Sequence, residues 1–147
     1  MNESKTKIYC FDSSIFITLN RVNNILPVPD IWKELDHLLK NGRLISHIYV
    51  YNEFNPDCEK PDFLGKWVKS RKKYFIGVTE DQINHVRQIL SEFHQLINPD
   101  TEKNQADPWI IALAMEKNEE NSLFGSNNEY IVVSLSLIHI SEPTRPY

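Results

Sequence analysis

The chain lacks a cysteine motif and any long apolar run. Its 147 residues include 2 cysteines, Cys10 and Cys58, which lie far apart and in no CxxC pair. This usage indicates free thiols in a reducing compartment, with Cys10 buried in an apolar segment. No apolar stretch approaches the roughly 20 residues that span a bilayer, and no secretory signal opens the chain. We therefore expect a cytoplasmic protein with no membrane partner.

The chain also has fewer basic residues than acidic ones, with 16 lysines and arginines against 20 aspartates and glutamates. The formal net charge is -4, which argues against bulk attraction to nucleic acid and requires any such partner to be held locally. The 5 histidines show no ligand spacing such as HExxH, so a zinc site of that type is excluded. The length fits one domain with a single core.

Short apolar runs alternate with helical patterns along the chain. Asp30 is the expected N-cap of the helix over residues 29–42 and Gly42 its expected stop, and Thr79 with Gln82 forms a capping box. Strands are expected at 8–11, 43–46, 75–79 and 129–134, and helices at 29–42, 47–54, 61–75, 79–97 and 106–117. Strands that alternate with helices predict a three-layer α/β/α sandwich around a mainly parallel sheet.

The last residues differ in character from the rest. From Leu135 to Arg145 the chain reads LSLIHISEPTR, which is the in-frame translation of a transposase-type sequencing-library adapter. We therefore exclude residues 135–147 as a non-native tail and place the domain at residues 4–134. The domain is then expected to lack its last elements.

Three carboxylates lie at the ends of predicted elements. Asp12 closes the first strand, Glu53 shares a helix face with Val50 and Phe54, and Asp107 opens a helix, with Pro108 at its first position. Ligands of parallel sheets bind at the carboxyl ends of the strands. If the three acids converge there, they repel by roughly 4 kcal/mol per close pair at an effective dielectric of about 20. Such an all-oxygen cluster suits Mg²⁺ or Mn²⁺.

Each acid also has a purely structural interpretation. Asp12 and Ser14 could cap a helix, Asp107 could be an ordinary N-cap, and Glu53 could pair with a lysine. Spacing alone leaves both interpretations open. A haloacid-dehalogenase-type phosphatase also begins with an aspartate after a strand, but it needs a second aspartate where this chain has Ser14. That alternative is excluded.

The segments YCFDSSIFI, GRLISHIYVYNEF and KNQADPWIIALA, in this order, resemble the PIN-domain superfamily, and within it the PIN-like DUF4411 family. The resemblance implies a metal-dependent endoribonuclease that uses Mg²⁺ or Mn²⁺, often the toxin of a bacterial toxin–antitoxin pair. It places Asp12, Glu53 and Asp107 at the family's first three acidic positions and Ser14 at the group that supports the first. The family's fourth acid would follow the last strand, where the adapter sequence begins, so this chain is expected to be impaired.

The resemblance also implies partners: an RNA substrate, a cognate antitoxin protein, and a homodimer as a further option. A basic and aromatic segment could grip RNA through phosphate contacts and stacking, or could simply be a solvated helix face anchored by Trp67. The candidate RNA-binding residues are Arg21, Lys69, Arg71 and Lys72. The competing interpretation is a non-catalytic α/β module that binds protein or RNA and uses the acids as helix caps.

Overall fold

The computed structural model describes residues 5–25, 31–92 and 106–135, without the side chains of residues 24, 25, 106 and 107. Within these ranges helices separate the successive strands as expected, but α1 was not among the predicted helices. The elements are β1 (Thr6–Phe11), α1 (Ser13–Ile25), α2 (Ile31–Lys40), β2 (Leu44–His47), α3 (Ile48–Glu53), α4 (Phe63–Lys69), β3 (Phe75–Ile76), α5 (Glu80–Glu92), α6 (Ala106–Phe124) and β4 (Asn128–Val133). A 3₁₀ turn, Lys72–Tyr74, precedes β3.

The strands form one sheet in the order β3-β2-β1-β4, and every pair is parallel. Cys10 lies beside Ile45 of β2 on one side and beside Val132 of β4 on the other. The strand ends are therefore aligned at the carboxyl edge of the sheet. β4 is the last strand in this order, next to β1, and each of its residues is half-buried.

Helices cover both faces of this sheet. On one face, residues of α1, α2, α3 and α4 pack around Phe16, whose ring lies 5.4 to 6.2 Å from the rings of four other aromatic residues: Phe11, Phe54, Trp67 and Phe75. On the other face, Ile110 and Leu113 of α6 pack on Cys10, and α5 packs on the outer side of α6. The predicted α/β/α sandwich with a parallel sheet is confirmed.

Several element boundaries differ from the predictions. The helix predicted across 61–75 ends at Lys69, with Ser70 as its C-cap. The Thr79 hydroxyl accepts from the Gln82 amide as a cap should, but the Gln82 side chain does not return the bond and instead turns inward. The last helix begins at Ala106, so Pro108 is its third residue, which is tolerated because the first helical amides have no intrahelical acceptor.

Other local predictions agree with the structure. Gly42 follows α2 with a positive φ of 71°, the left-handed conformation that ends helices and that glycine adopts without strain. The proposed N-cap Asp30 lies outside the described residues. So do residues 136–147, and the predicted domain limit at Ser134 stays a prediction. No helix in the described ranges is long and apolar enough to cross a membrane.

Candidate functional site

Asp12 lies at the carboxyl edge of the sheet, directly after β1. Its side chain is 1% exposed, although it is an acid. Its backbone N–H donates to the carbonyl of Val133 at 3.1 Å, so the end of β1 is tied to the end of β4. Burying a carboxylate costs several kcal/mol unless polar partners replace the lost water.

Those partners are donors from two different parts of the chain. Oδ1 of Asp12 accepts from the Ser13 backbone amide at 2.8 Å and from the Ser13 hydroxyl at 3.4 Å. Oδ2 accepts from the Ser134 hydroxyl at 2.7 Å and from the Ser14 hydroxyl at 3.3 Å. Ser14, predicted to support the first acid, thus contacts the Asp12 carboxylate directly, and its functional role stays a prediction. All of these donors are uncharged.

Sequence reasoning missed Ser134. It is 9% exposed, and its hydroxyl makes the shortest of the four contacts to Asp12. The Leu135 amide donates to the Ser14 hydroxyl at 3.1 Å, which ties the end of β4 to the start of α1. The available signal was a small hydroxyl residue at the end of a strand, but its use depends on knowing that β4 pairs with β1.

The face of the sheet on which Asp12 lies is the one that α6 covers. Cys10, Ile45 and Val132 pack under α6, and residues two further along each strand point to the same face. Those residues are Asp12, His47 and Ser134, all buried and polar. The carboxyl edge of this face therefore carries a polar layer above an apolar one.

Asp107 lies in the first turn of α6. The helix runs antiparallel to β4, as shown by Asn118 bonding to the backbone of Tyr130 and Asn121 to that of Asn128, so its first turn lies toward the carboxyl edge. The ring of Trp109, two residues after Asp107, packs 5.6 Å from the ring of His47. The backbone of Asp107 is thus placed at the predicted edge. Its side chain is outside the described residues.

Glu53 is the last residue of α3, the short helix that follows β2. Tyr49 precedes it by one helical turn, and the Tyr49 ring lies 5.1 Å from that of Trp109 on α6. Residues four apart share a helix face, so Glu53 lies on the side of α3 that faces the start of α6. Val50 on the same helix is buried, whereas Glu53 is exposed. The face that Glu53 was predicted to share with Val50 implies a position toward the core side, but the Glu53 side chain is exposed.

His47 caps α3 and is completely buried. Its Nδ1 accepts from the Tyr49 amide at 3.1 Å, and its Nε2 lies 2.8 Å from Oε1 of Gln82. Burial lowers the pKa of His47, and the Gln82 hydrogen bond and the charge of Glu116 oppose that shift. Nε2 of Gln82 donates in turn to Oε1 of Glu116 at 3.0 Å and to the Gly77 carbonyl at 3.1 Å.

The acids and hydroxyls at this edge supply the kind of ligand atom that a hard divalent cation prefers. Asp12, Ser14, Ser134 and Glu53 offer only oxygen atoms, which Mg²⁺ and Mn²⁺ prefer. None of the ion pairs in the described ranges involves Asp12, so no described cation neutralises it. The described side chains alone, which do not include that of Asp107, contain no group of three His, Cys, Asp or Glu able to hold a metal. A metal site here therefore requires a ligand from outside the described side chains, and Asp107 is the predicted candidate.

The candidate RNA-binding residues Arg21, Lys69, Arg71 and Lys72 belong to different parts of the fold. Arg71 makes contacts that stabilise the fold. Its guanidinium pairs with both carboxylate oxygens of Asp36 and donates to the Trp67 carbonyl at 2.7 Å. It also lies 4.2 Å from the centroid of the Trp67 ring. Lys72 lies just before β3, two strands from β1, or about 10 Å by strand spacing. Lys69 and Arg21 are exposed on α4 and α1. None of these four cations has a described contact with Asp12, and their role in RNA binding stays a prediction.

The comparisons with known proteins identify a family. The model of DUF4411, described as a domain of unknown function, matches residues 9–122. A solved chain from the structure "VapBC2 from Rickettsia felis bound to a DNA fragment from their promoter" is similar, with a TM-score of 0.48 and 13% identity over 86% of this chain and 99% of that one. No curated protein matches significantly. Because the family model covers well over half of the sequence, this chain belongs to the DUF4411 family.

Proposed function

We propose that the chain is a metal-dependent endoribonuclease whose site is formed by Asp12, Glu53 and Asp107 at the carboxyl edge of the sheet. Asp12 and Asp107 would be direct ligands of Mg²⁺ or Mn²⁺. Glu53 would bind the ion or a water molecule on it. Bound there, the metal would activate water for in-line attack on a phosphodiester and stabilise the leaving oxygen.

The burial of Asp12 is the observation that carries this proposal. Asp62, which caps α4, shows what an ordinary capping aspartate looks like in this chain: it is exposed and accepts from the Gly65 amide at 2.8 Å. A cap of this kind stabilises a helix by about 1 kcal/mol. Asp12 is 1% exposed, so it also carries a desolvation cost of several kcal/mol, which a capping role alone does not explain.

The hydroxyl groups around Asp12 have a defined role in this scheme. Ser14 and Ser134 both donate to Oδ2 and hold the carboxylate in one orientation. A carboxylate has about four lone-pair positions, and the four described donors occupy them. A metal ion would therefore have to displace a hydroxyl, and the weakest contact, from Ser13 at 3.4 Å, is the one most easily lost.

A non-catalytic binding module is the second candidate. It is favoured by the bond from the Ser13 amide to Oδ1 of Asp12 and by the Ile15 amide, which donates to the Asp12 carbonyl at 3.2 Å. Both bonds belong to the start of α1. On this interpretation the Asp12 carboxylate would stabilise a helix and a strand junction, and divalent cations would have no effect.

Asparagine substitutions of the two capping aspartates separate the candidates. Asparagine caps helices as well as aspartate does, so Asp12→Asn and Asp62→Asn should both leave the fold intact. Mn²⁺ affinity, measured by isothermal titration calorimetry, should fall at least about tenfold in Asp12→Asn, because even outer-shell changes cost that much. Asp62→Asn should bind Mn²⁺ like the wild type. Cleavage of a mixed-sequence single-stranded RNA should follow the same order and stop in EDTA.

Two outcomes would reject the nuclease. One is Mn²⁺ binding that is absent in the wild type or equal in both variants, and the other is RNA cleavage that persists in EDTA. Metal binding is measured beside cleavage because a replaced fourth acid, as predicted for the tail, would slow the reaction. It would still leave Asp12 in contact with the ion.

We further propose, from the sequence resemblance, that the nuclease acts as a toxin and that an antitoxin protein binds it. A cytoplasmic location and a homodimer remain predictions. Co-expression with the product of the adjacent gene tests the antitoxin. The expected result is relief of growth arrest together with a stable complex on size exclusion. Growth arrest that the neighbouring product does not relieve would contradict it.

A further inference from the structure

Two of the helices that carry predicted acids meet at one buried imidazole. The start of α3 is held by the bond from the Tyr49 amide to Nδ1 of His47, and the start of α6 packs on the same ring through Trp109. Tyr49 and Trp109 also contact each other, with ring centroids 5.1 Å apart. The position of the His47 ring therefore affects both the helix that ends at Glu53 and the helix that begins beside Asp107.

The hydrogen bonds determine which nitrogen of His47 carries the proton. Nε2 of Gln82 faces the carboxylate of Glu116 and the carbonyl of Gly77, and these groups accept hydrogen bonds, so the amide orientation is determined. Oε1 of Gln82 must then face His47, and Nε2 of His47 must donate to it. Nδ1 is left unprotonated, as the bond from the Tyr49 amide requires.

Gln82 is itself held firmly. Its side chain is completely buried, and its backbone amide donates to the Thr79 hydroxyl at 3.2 Å. The Thr79 hydroxyl in turn donates to Oε2 of Glu116. Among the described residues no buried side-chain nitrogen or oxygen lacks a partner. A fully satisfied buried network of this kind holds its members in one arrangement.

We propose that Gln82 is a positioning residue of the carboxyl-edge site: by accepting from Nε2 it holds the His47 ring in place, and His47 in turn fixes the starts of α3 and α6. The inference rests on the proposed function, because it assigns Gln82 an effect on the metal site that the two helices share with Asp12. Metal ligands are commonly oriented through such outer contacts, whose loss weakens metal binding about 10- to 100-fold.

Substitution of Gln82 by methionine tests this role. Methionine has a similar length and favours helices, but its thioether is a weak hydrogen-bond acceptor for Nε2–H of His47. Nitrogen-15 NMR should show the Nε2–H tautomer of His47 in the metal-free wild type and also in Gln82→Met, because the Tyr49 amide still donates to Nδ1. The Nε2–H proton of the variant should lose the downfield shift that its hydrogen bond to Gln82 causes. Mn²⁺ affinity of the folded variant should fall about tenfold or more.

Asp36→Asn supplies the matched control. It disrupts the polar contact with Arg71 on the other face of the sheet, so it should lower the melting temperature and leave Mn²⁺ affinity and the chemical shift of the His47 Nε2–H proton unchanged. His47→Gln serves if Gln82→Met does not fold. It keeps a donor for Gln82 but removes the acceptor for the Tyr49 amide, and it should weaken Mn²⁺ binding to a similar degree.

The failures of the two proposals are distinguishable. A folded Gln82→Met whose Nε2–H proton keeps its wild-type chemical shift shows that Gln82 does not hold the His47 ring, and one that binds Mn²⁺ within twofold of the wild type overturns the positioning role. Wild-type affinity in His47→Gln has the same consequence. If Mn²⁺ binding depends on Asp12 in either case, the proposed nuclease site stands. If the wild type binds no Mn²⁺, the proposed function fails and the positioning role with it.

Discussion

Replacement of Arg71 by methionine should destabilise the fold without affecting the site at the carboxyl edge. The substitution removes a bidentate ion pair with Asp36, a hydrogen bond to the Trp67 carbonyl and a cation–π contact with the Trp67 ring. The side chains of Arg71 and Asp36 are 22% and 28% exposed, so solvent screens the pair and its share is about 1 kcal/mol. The carbonyl bond contributes about 1 kcal/mol and the ring contact about 0.5 to 1 kcal/mol.

The expected loss is therefore about 2 to 3 kcal/mol, since contributions that share one side chain do not add fully. For a domain of this size that corresponds to a drop of roughly 6 to 12 °C in melting temperature. Circular dichroism at pH 7 measures it, and Arg21→Met is the control. Arg21 is exposed on α1, and its substitution should change stability by less than about 0.5 kcal/mol.

The pH dependence gives an independent check on the same contact. The Arg71 hydrogen bond and charge hold the pKa of Asp36 below its ordinary value. A carboxyl with a lowered pKa in the folded state adds stability above its ordinary pKa and loses it as the pH falls through the lowered value. The gap between wild type and Arg71→Met should therefore be largest near neutral pH and should narrow in acid. An unchanged melting temperature in Arg71→Met, together with weakened RNA binding, would refute this reasoning and restore Arg71 as an RNA contact.

Two further predictions concern packing and thiol chemistry. Gly65→Ala should destabilise the protein by about 1 to 3 kcal/mol, because an added Cβ would meet Cβ of Pro61 at 2.9 Å. Gly77→Ala is the control in a urea melt, since nothing lies within 4 Å of the added atom, and equal midpoints would contradict the expected clash. Burial raises the pKa of Cys10 to about 12, while Cys58 is exposed. Ellman's reagent should modify one thiol in the native protein at pH 8 and two in denaturant, and rapid native reaction of both would show that Cys10 is accessible.

The fold could be predicted where the signal was local. The apolar stripe of α2 and the glycine after it are read within a few residues, and the structure places both as expected. The prediction was wrong where a distant residue determines the outcome. The helix predicted to continue past Ser70 ends there, and the Arg71 guanidinium bonds the Trp67 carbonyl while it pairs with Asp36 of another helix. Such a contact has no counterpart in the local sequence.

The site shows the same division between local and distant information. Asp12 was predictable because an acid that ends an apolar strand is unusual in itself. Its strongest partner, Ser134, is 122 positions away and becomes a neighbour only when β4 pairs with β1. The inward orientation of the Gln82 side chain could not be predicted from the sequence for a related reason. Its sequence context matches a capping box, yet its side chain finds better partners in His47 and Glu116 on other elements.

The change from apolar to polar along three strands is the strongest structural argument that the carboxyl edge has a function. Folding alone would favour another apolar layer above Cys10, Ile45 and Val132, because buried polar groups gain little over apolar ones even when they are fully bonded. Instead a buried polar residue stands at the carboxyl end of each of β1, β2 and β4. The one that follows β1, which lies between β2 and β4, is the acid Asp12. Proteins keep such costly groups where their chemistry needs them. Neutralising Asp12 should therefore cost metal binding far more than it costs stability, and a variant that lost stability alone would identify the layer as a structural device.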